Sequence, residues 1–148
     1  MKKQFDFKPD RFYNSNHLWS KQEDDGRITI GMDELGLDSL GEMAYLSLPA
    51  VGSPVEMGKV MGSMEAAKMT GELFAPISGI VVEKNDAVLQ NPLLVNEDPF
   101  DKGWLIKIEP ANWADESAAM VSGDALPDWM KSEIERFETQ GMAGWTLG

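Results

Sequence analysis

Short apolar runs dominate the middle of the chain, and turn residues separate almost all of them. Glycine or proline stands at most junctions, and each run is only a few residues long, as strands are. The runs are Met43–Leu48, Pro54–Val55, Lys59–Met64, Glu72–Phe74, Gly79–Glu83, Leu93–Val95 and Trp104–Ile108. Because strands this short bury little surface individually, two sheets must face each other across one core. The pattern predicts a mostly β fold, a flattened β-sandwich or barrel.

Two patterns before this region predict a hairpin and a short internal helix. Glu23–Gly26 is an acidic turn that ends in glycine and separates the β-like segments Leu18–Lys21 and Arg27–Ile30. The segment Asp33–Leu40 begins with a residue suited to capping a helix, and Gly41 follows it as a stop signal. We therefore expect a β-hairpin that leads into one short helix.

The chain divides into three parts on these patterns. Residues 1–16 are polar with scattered aromatics and are expected to pack loosely as an N-terminal lead-in. Residues 17–110 hold the β pattern, which Pro110 closes. Residues 111–148 form a C-terminal helical extension and tail.

Two helices are predicted in the C-terminal part, over 111–122 and 127–138. The second has one apolar stripe at helical spacing, formed by Met130, Ile134 and Phe137. Such a stripe is typical of core packing. The segment Gly141–Gly148 is glycine-rich, and we expect it to be mobile unless Trp145 docks.

Composition removes several classes of function. The 148 residues include 25 acidic and 13 basic ones, a net charge of −12, which argues against nucleic acid or an anionic membrane as a partner. The chain has no cysteine and one histidine, so disulfides are excluded and no zinc site is expected. The acidic turns lack the spacing of calcium loops, so we expect no metal. No stretch is long and apolar enough for a membrane span, and a cytoplasmic location is expected.

Lys68 is the most informative single residue. It lies in Gly62–Gly71, a polar segment flanked by apolar runs, and Pro76–Gly79 begins eight residues after it. A lysine in a tight turn between two strands is suited to carrying a covalently attached arm, so that the chemistry belongs to the cofactor. The same residue would otherwise be an ordinary exposed turn lysine.

The segment from His17 to Pro110 resembles the lipoyl domain of the glycine cleavage system H protein. The matching blocks are His17–Trp19, Leu40–Gly41, Leu48–Gly52, Glu65–Lys68, Phe74–Gly79, Val82–Asn85, Asn91–Phe100 and Gly103–Ile108. They occur in the family's order over roughly two-thirds of the chain. The resemblance implies a lipoyl-type β domain with the lipoyl-domain hybrid motif, and a carrier protein without catalytic residues of its own.

Within this resemblance, Lys68 matches the lysine that carries lipoic acid through an amide bond. Glu65, Ala67 and Met69 would then help the attaching ligase or transferase to recognise the site, and Gly71 and Gly79 would shape the hairpin. Ala67–Met69 also resembles half of the Met-Lys-Met turn of biotin carrier domains, which leaves a biotin carboxyl carrier as an alternative. The blocks outside the turn are of the H-protein kind and favour lipoate.

The chain departs from the H-protein pattern around the arm. Glu65–Glu72 replaces the usual Glu-Ser-Val-Lys-Ala turn, Met32–Leu35 replaces Thr-Asp-Tyr-Ala, and Leu18 replaces a glutamate. These features look more like the lipoate-binding, H-like proteins of heterodisulfide-reductase-like sulfur oxidation. We therefore expect an arm that shuttles a sulfur-bound intermediate, with that complex and dihydrolipoyl dehydrogenase as partners. The alternatives are a glycine cleavage H protein that carries the aminomethyl intermediate between the glycine cleavage enzymes, and an unmodified binding module.

Overall fold

A computed structural model of the chain describes residues 4–140. Within this range, nine strands form two antiparallel sheets. The six-stranded sheet has the order β1 (Phe12–Tyr13), β2 (Leu18–Gln22), β3 (Ile28–Met32), β9 (Ile106–Pro110), β8 (Gly79–Lys84) and β5 (Pro54–Val55). The three-stranded sheet has the order β4 (Met43–Ser47), β6 (Val60–Ala66) and β7 (Thr70–Phe74). The predicted flattened, mostly β sandwich with a few helices is confirmed.

The core lies where the inward faces of the two sheets meet. Alternate residues of β2 and β3 point into it, as the two-residue period of a strand requires. The largest buried group draws on both sheets and on the helix between them; it includes Leu18, Met32, Leu37, Leu40, Met43, Leu46, Met64 and Leu73. A second group of isoleucines and Val81 continues the core under β3, β8 and β9.

Five α-helices connect or flank the strands in the described part of the chain. They are α1 (Glu34–Leu40), α2 (Asp86–Gln90), α3 (Leu93–Glu97), α4 (Trp113–Ala118) and α5 (Leu126–Gln140). The predicted cap of α1 is confirmed, because the Asp33 carboxylate accepts a hydrogen bond of 2.9 Å from the Gly36 N–H. The predicted hairpin of β2 and β3 is also present.

The strand predicted at Leu93–Val95 is wrong, because this segment is helix α3. The Val95 N–H donates to the Pro92 carbonyl at 3.0 Å, and the Asp98 N–H donates to the Leu94 carbonyl at 2.9 Å. Proline is tolerated at a helix start, where its missing N–H costs nothing. A short apolar run fits a helix or a strand equally well by periodicity. Asn96 consequently lies in a helix and not in a turn between strands.

The N-terminal segment is packed more tightly than predicted. Tyr13 in β1 is fully buried, Arg11 is 8% exposed, and Phe7 packs against buried aromatic residues. The chain reverses at 14–17 so that β1 pairs with β2, and this pairing brings the segment onto the sheet. The division into three parts at residues 16 and 110 stays a prediction.

Helix α5 packs through its predicted apolar stripe. Met130 and Phe137 are buried against Leu35 of α1, with Ile134 beside them. Helix α4 is shorter than the predicted 111–122. The predictions for Gly141–Gly148 and Trp145 lie outside the described residues. No helix in residues 4–140 combines the length and the apolar character needed to cross a membrane.

Candidate functional site

Lys68 lies at the tip of the hairpin formed by β6 and β7. Glu65 pairs with Thr70, and the Ala66 N–H donates to the Met69 carbonyl at 2.9 Å, so only Ala67 and Lys68 span the turn. The Lys68 side chain is exposed, and its Nζ donates to the Asp38 carbonyl at 3.0 Å. The structure therefore presents this amine at the surface, at the end of a long paired ribbon.

The backbone of the turn is held by the segment that follows α1. Two-residue hairpin turns usually require positive φ, but among the described residues the only non-glycine with positive φ is His17. A two-residue turn without positive φ does not follow the twist of its two strands, so contacts from outside the hairpin must hold it in place. The Ala67 N–H donates to the Glu42 carbonyl and the Lys68 N–H to the Leu40 carbonyl, both at 2.9 Å. These two hydrogen bonds fix the root of the lysine.

Gly41 lies directly beneath the lysine turn. Its φ of 83° and ψ of −162° belong to a region that is almost restricted to glycine. A Cβ on Gly41 would lie 3.2 Å from the Ala67 Cβ and 3.4 Å from the Lys68 Cγ. Gly41 thus permits the close approach of the turn as well as ending α1.

Asn96 fixes the loop that carries Gly41. Its Nδ2 donates to the Gly41 carbonyl at 3.0 Å, and its Oδ1 accepts from the Met43 N–H at 2.8 Å. One side chain therefore satisfies two backbone groups on either side of Glu42 and prevents the loop from moving away from the turn.

The residues predicted to flank the site differ in exposure. Glu65 and Ala67 are exposed, whereas Met69 is half-buried and packs against the main core. Met69 thus anchors the turn from below, while Glu65 and Ala67 are accessible to another protein. Gly79 lies outside this hairpin, at the start of β8, where a Cβ would meet the Glu109 carbonyl oxygen at 2.2 Å.

A cleft of about 590 Å³ opens beside Lys68. Carboxylates from α1 and the loop after it line the cleft: Glu34, Asp38 and Glu42. Phe5, Leu37 and Pro99 supply apolar wall. Lys68 is the one cation among the described lining residues. A flexible arm rooted at Lys68 would have an acidic, partly apolar groove within its immediate reach.

The family model of the glycine cleavage H-protein matches residues 11–133, which include the hairpin, the cleft-lining residues from Glu34 to Pro99 and the first half of α5. The chain belongs to the glycine cleavage H-protein family. The resemblance predicted from the sequence is thereby confirmed as membership of this family of lipoyl carriers.

Two named relatives and one solved structure illustrate the similarity. A probable glycine cleavage system H protein of Thermococcus gammatolerans is 36% identical over 121 residues, covering 82% of this chain and 90% of the relative. The glycine cleavage system H protein of Oceanobacillus iheyensis is 42% identical over 103 residues, covering 70% of this chain and 81% of the relative. A crystal structure of an H protein from Mycobacterium marinum superposes with a TM-score of 0.67 at 32% identity, covering 71% of this chain and 87% of that one.

In this H-protein family member, His17 joins α5 to the cap of α1. Its Nδ1 lies 2.6 Å from Asp33 Oδ2, and its Nε2 lies 2.8 Å from Glu133 Oε1. The histidine is fully buried, stacks on Trp129 at 5.2 Å and has a φ of 61°. It directly precedes β2 and holds a structural position there.

The charges around His17 balance one another. Burial opposes its charge, but the carboxylates of Asp33 and Glu133 outweigh that effect and raise the pKa of His17 to about 9. Burial also opposes the charge of Glu133, but hydrogen bonds from His17 and Arg136 lower its pKa to about 2. Arg136 Nη2 lies 2.7 Å from Glu133 Oε1. A charged histidine is therefore enclosed by two carboxylates and one guanidinium.

Sequence reasoning missed the supporting residues of this H-protein site. Asn96 lies inside a block that carries the family resemblance, but nothing local assigns it a partner 53 positions away. Glu133 reaches His17 across 116 positions. Among residues 4–140, no group of three or more histidines and carboxylates is arranged to hold a metal ion.

Proposed function

We propose that this chain is a glycine cleavage H protein that carries lipoic acid as an amide on Lys68 and does not itself catalyse a reaction. The position of Lys68 carries the proposal: an exposed amine at a hairpin tip whose backbone is fixed by neighbouring carbonyls. Lipoate supplies a dithiol that can bind and release a group, and the protein supplies the rigid root. The family membership of the chain supports the same role.

The surroundings of Lys68 fit an attached lipoyl group. The Nζ is accessible for amide formation, since its single described contact is the surface carbonyl of Asp38. The cleft begins at the same lysine, so an arm that folds back would find apolar wall from Leu37 and Pro99. No residue of the turn would have to be displaced.

The charge of the cleft favours an amine as the cargo. Amide formation removes the positive charge of Lys68, while the carboxylates of Glu34 and Glu42 remain in the lining of the cleft. Such a groove attracts a protonated amine, as in an aminomethyl group, and disfavours an anionic sulfur species. This electrostatic argument supports glycine cleavage over the sulfur-oxidation function expected from the turn motif.

The proposed partners follow from this function. They are a lipoate-attaching ligase or transferase, the glycine decarboxylase, the aminomethyltransferase and dihydrolipoyl dehydrogenase. Glu65 and Ala67 would contact the attaching enzyme, because both side chains are exposed beside the lysine. Met69 would act indirectly by seating the turn on the core.

We predict that the natively produced protein carries a lipoyl group on Lys68. Lys68→Arg should abolish the mass increase while changing the free energy of unfolding by less than about 0.5 kcal/mol, as exposed turn substitutions do. Peptide mass spectrometry and urea unfolding measure both effects. Lys59→Arg is the matched control, because Lys59 is an exposed lysine just before the same hairpin. Lys68 should be lipoylated normally in this variant. A bare Lys68 would support an unmodified binding module, and a biotinyl mass would indicate a carboxyl carrier.

The cargo is tested on the lipoylated protein. With glycine and a glycine decarboxylase, we expect the mass of the arm to increase. This loading should require Lys68, and Glu42→Gln should reduce the fraction of protein that is loaded. Loading from a sulfur donor through a heterodisulfide-reductase-like complex, without loading from glycine, would instead favour the sulfur-oxidation role. The Glu42→Gln variant keeps the backbone carbonyl that holds Ala67, so its lipoylation should remain normal.

A further inference from the structure

A second pocket, of about 240 Å³, lies on the outer face of the six-stranded sheet. It shares none of its lining residues with the cleft beside Lys68. Its wall contains three cations, Arg11, Lys21 and Lys107, although the whole chain holds only 13 basic residues against 25 acidic ones. A concentration of positive charge in so acidic a protein calls for a physical explanation.

The strand register assembles two of these cations. Lys21 of β2 is paired with Thr29 of β3, and Thr29 is paired with Lys107 of β9, so the three side chains stand in one row across the sheet. The inward neighbours in these strands are core isoleucines and Leu18, so the row faces outward. Lys107 Nζ also lies 5.2 Å from the centroid of the Trp104 ring, at the rim of the pocket.

Arg11 supplies the third cation, and its guanidinium lacks ordinary partners. The residue is 8% exposed, and its buried Nε and Nη1 have no hydrogen-bond partner. The guanidinium lies 4.4 Å from the Trp19 ring centroid and 5.2 Å from that of Phe100. The nearest carboxylate is that of Asp10, at 3.6 Å from Nε and itself largely exposed. Buried guanidinium N–H groups are normally satisfied by an acceptor, so this one is arranged for an acceptor that comes from outside.

Two carboxylates also line the pocket and limit its charge. Glu23 lies 3.8 Å from Lys21 and accepts a hydrogen bond of 2.7 Å from the Thr29 hydroxyl, while Asp101 is exposed at the edge. Glu23 thus partly neutralises Lys21. Arg11 and Lys107 are left as the cations without a close carboxylate partner inside the pocket.

We propose that this pocket binds a small oxyanion, a phosphate or a carboxylate, between Arg11 and Lys107. An oxyanion would accept from the buried guanidinium and from the Lys107 ammonium through charge-assisted hydrogen bonds. The pocket is smaller than those that hold drug-sized ligands, so a small ion fits it better than an extended molecule. This site is independent of the arm on Lys68 and does not depend on lipoylation.

The test follows the Trp indole N–H signals of the ¹⁵N-labelled protein at constant pH. Inorganic phosphate and sodium acetate are titrated separately, and sodium chloride at equal ionic strength controls for screening. We expect saturable shifts at Trp19 and Trp104, with Trp113 as an internal reference that does not move. Lys107→Gln should weaken binding about tenfold, which is the loss expected for one charge-assisted hydrogen bond. Lys131→Gln, an exposed lysine on α5, removes the same charge and should not change binding.

Arg11→Lys is the second variant. It should weaken phosphate binding while changing the thermal midpoint of unfolding only slightly. If Arg11→Lys fails to fold, Lys107→Gln still decides. The proposal is overturned if chloride produces the same shifts or if neither oxyanion shifts the Trp19 and Trp104 signals. It is also overturned if Lys107→Gln binds the oxyanion as tightly as Lys131→Gln and the original sequence do. A response to phosphate alone, or to acetate alone, supports the site and identifies which oxyanion it prefers.

Discussion

Gly41 and Asn96 show how single residues set the geometry around Lys68. Gly41 leaves room for the turn, and Asn96 fixes the loop that presents the Leu40 and Glu42 carbonyls. Both act on the backbone, so their effects should appear in the rate of modification more than in the overall fold.

We predict that Gly41→Ala destabilises the protein and slows lipoylation of Lys68. The backbone conformation alone should cost about 1–3 kcal/mol, and the new Cβ would press against Ala67 and Lys68. Gly26→Ala is the matched control, because Gly26 also has positive φ but nothing lies within 4 Å of a Cβ placed there. Urea unfolding should show a loss for both variants, and intact-mass kinetics with an attaching enzyme should show slower modification only for Gly41→Ala. Equal kinetics for the two variants would argue against the supporting role of Gly41.

His17 predicts a particular dependence of stability on pH. Its pKa is higher in the folded protein, about 9 against an ordinary 6.5, so its stabilising effect is complete below 6.5 and is lost as pH rises through 9. The pKa of Glu133 is lower, about 2 against 4.5, so its effect is present above 4.5 and is lost as pH falls through 2. Stability from this pair is therefore greatest between 4.5 and 6.5.

Denaturant unfolding across this range measures the effect. We expect the free energy of unfolding to fall by on the order of 3 kcal/mol between pH 6.5 and 9. His17→Gln, which retains hydrogen-bonding capacity but not the charge, should remove most of this slope. An unchanged slope in the variant would assign the pH dependence to other groups.

At the scale of elements, helix α1 links the C-terminal helix to the cleft. One face of α1 is held by α5 through Leu35 and through the His17 contact with Asp33, while Leu37 and Asp38 line the cleft. The segment after α1 then supplies the carbonyls that hold the lysine turn. Loosening α5 should therefore reach the cleft through α1.

Met130→Ala tests this link. Met130 is 4% exposed, so its truncation should cost about 2–4 kcal/mol. Hydrogen exchange should rise in α1 as well as in α5, and the amides of β8 and β9 should be affected least. Lys131→Ala, at the neighbouring exposed position, should leave exchange in α1 unchanged. Faster exchange confined to α5 would show that the two helices are not coupled.

At the scale of the whole molecule, modification of Lys68 changes the net charge of a protein that is already strongly acidic. The chain carries −12, and an amide on Lys68 removes one more positive charge. The modified protein should therefore elute later from an anion-exchange column than the unmodified protein. Lys68→Gln should elute with the modified form and Lys68→Arg with the unmodified form. Co-elution of modified and unmodified protein would mean that the attached group does not neutralise a lysine.

Prediction from sequence succeeded where the signal is local. The turn around Glu23–Gly26, the Asp33 cap and the apolar stripe of α5 depend on neighbouring residues, and all three are present. Prediction failed at Leu93–Val95, because a three-residue apolar run has no period that separates helix from strand. It also failed for the N-terminal segment, because Tyr13 and Arg11 pack against residues as distant in sequence as Phe100 and Leu126.

The sequence by itself determined the mostly β architecture and the family, and it predicts Lys68 as the attachment point of an arm. Each of these follows from spacing and motif, which the linear order of residues preserves. The tertiary structure alone decided that Asn96 pins Gly41, that Glu133 and Asp33 enclose a charged His17, and that Arg11 joins Lys107 on one sheet face. The residues in these groups lie 16 to 116 positions apart in the chain, and only strand register and helix packing bring them together.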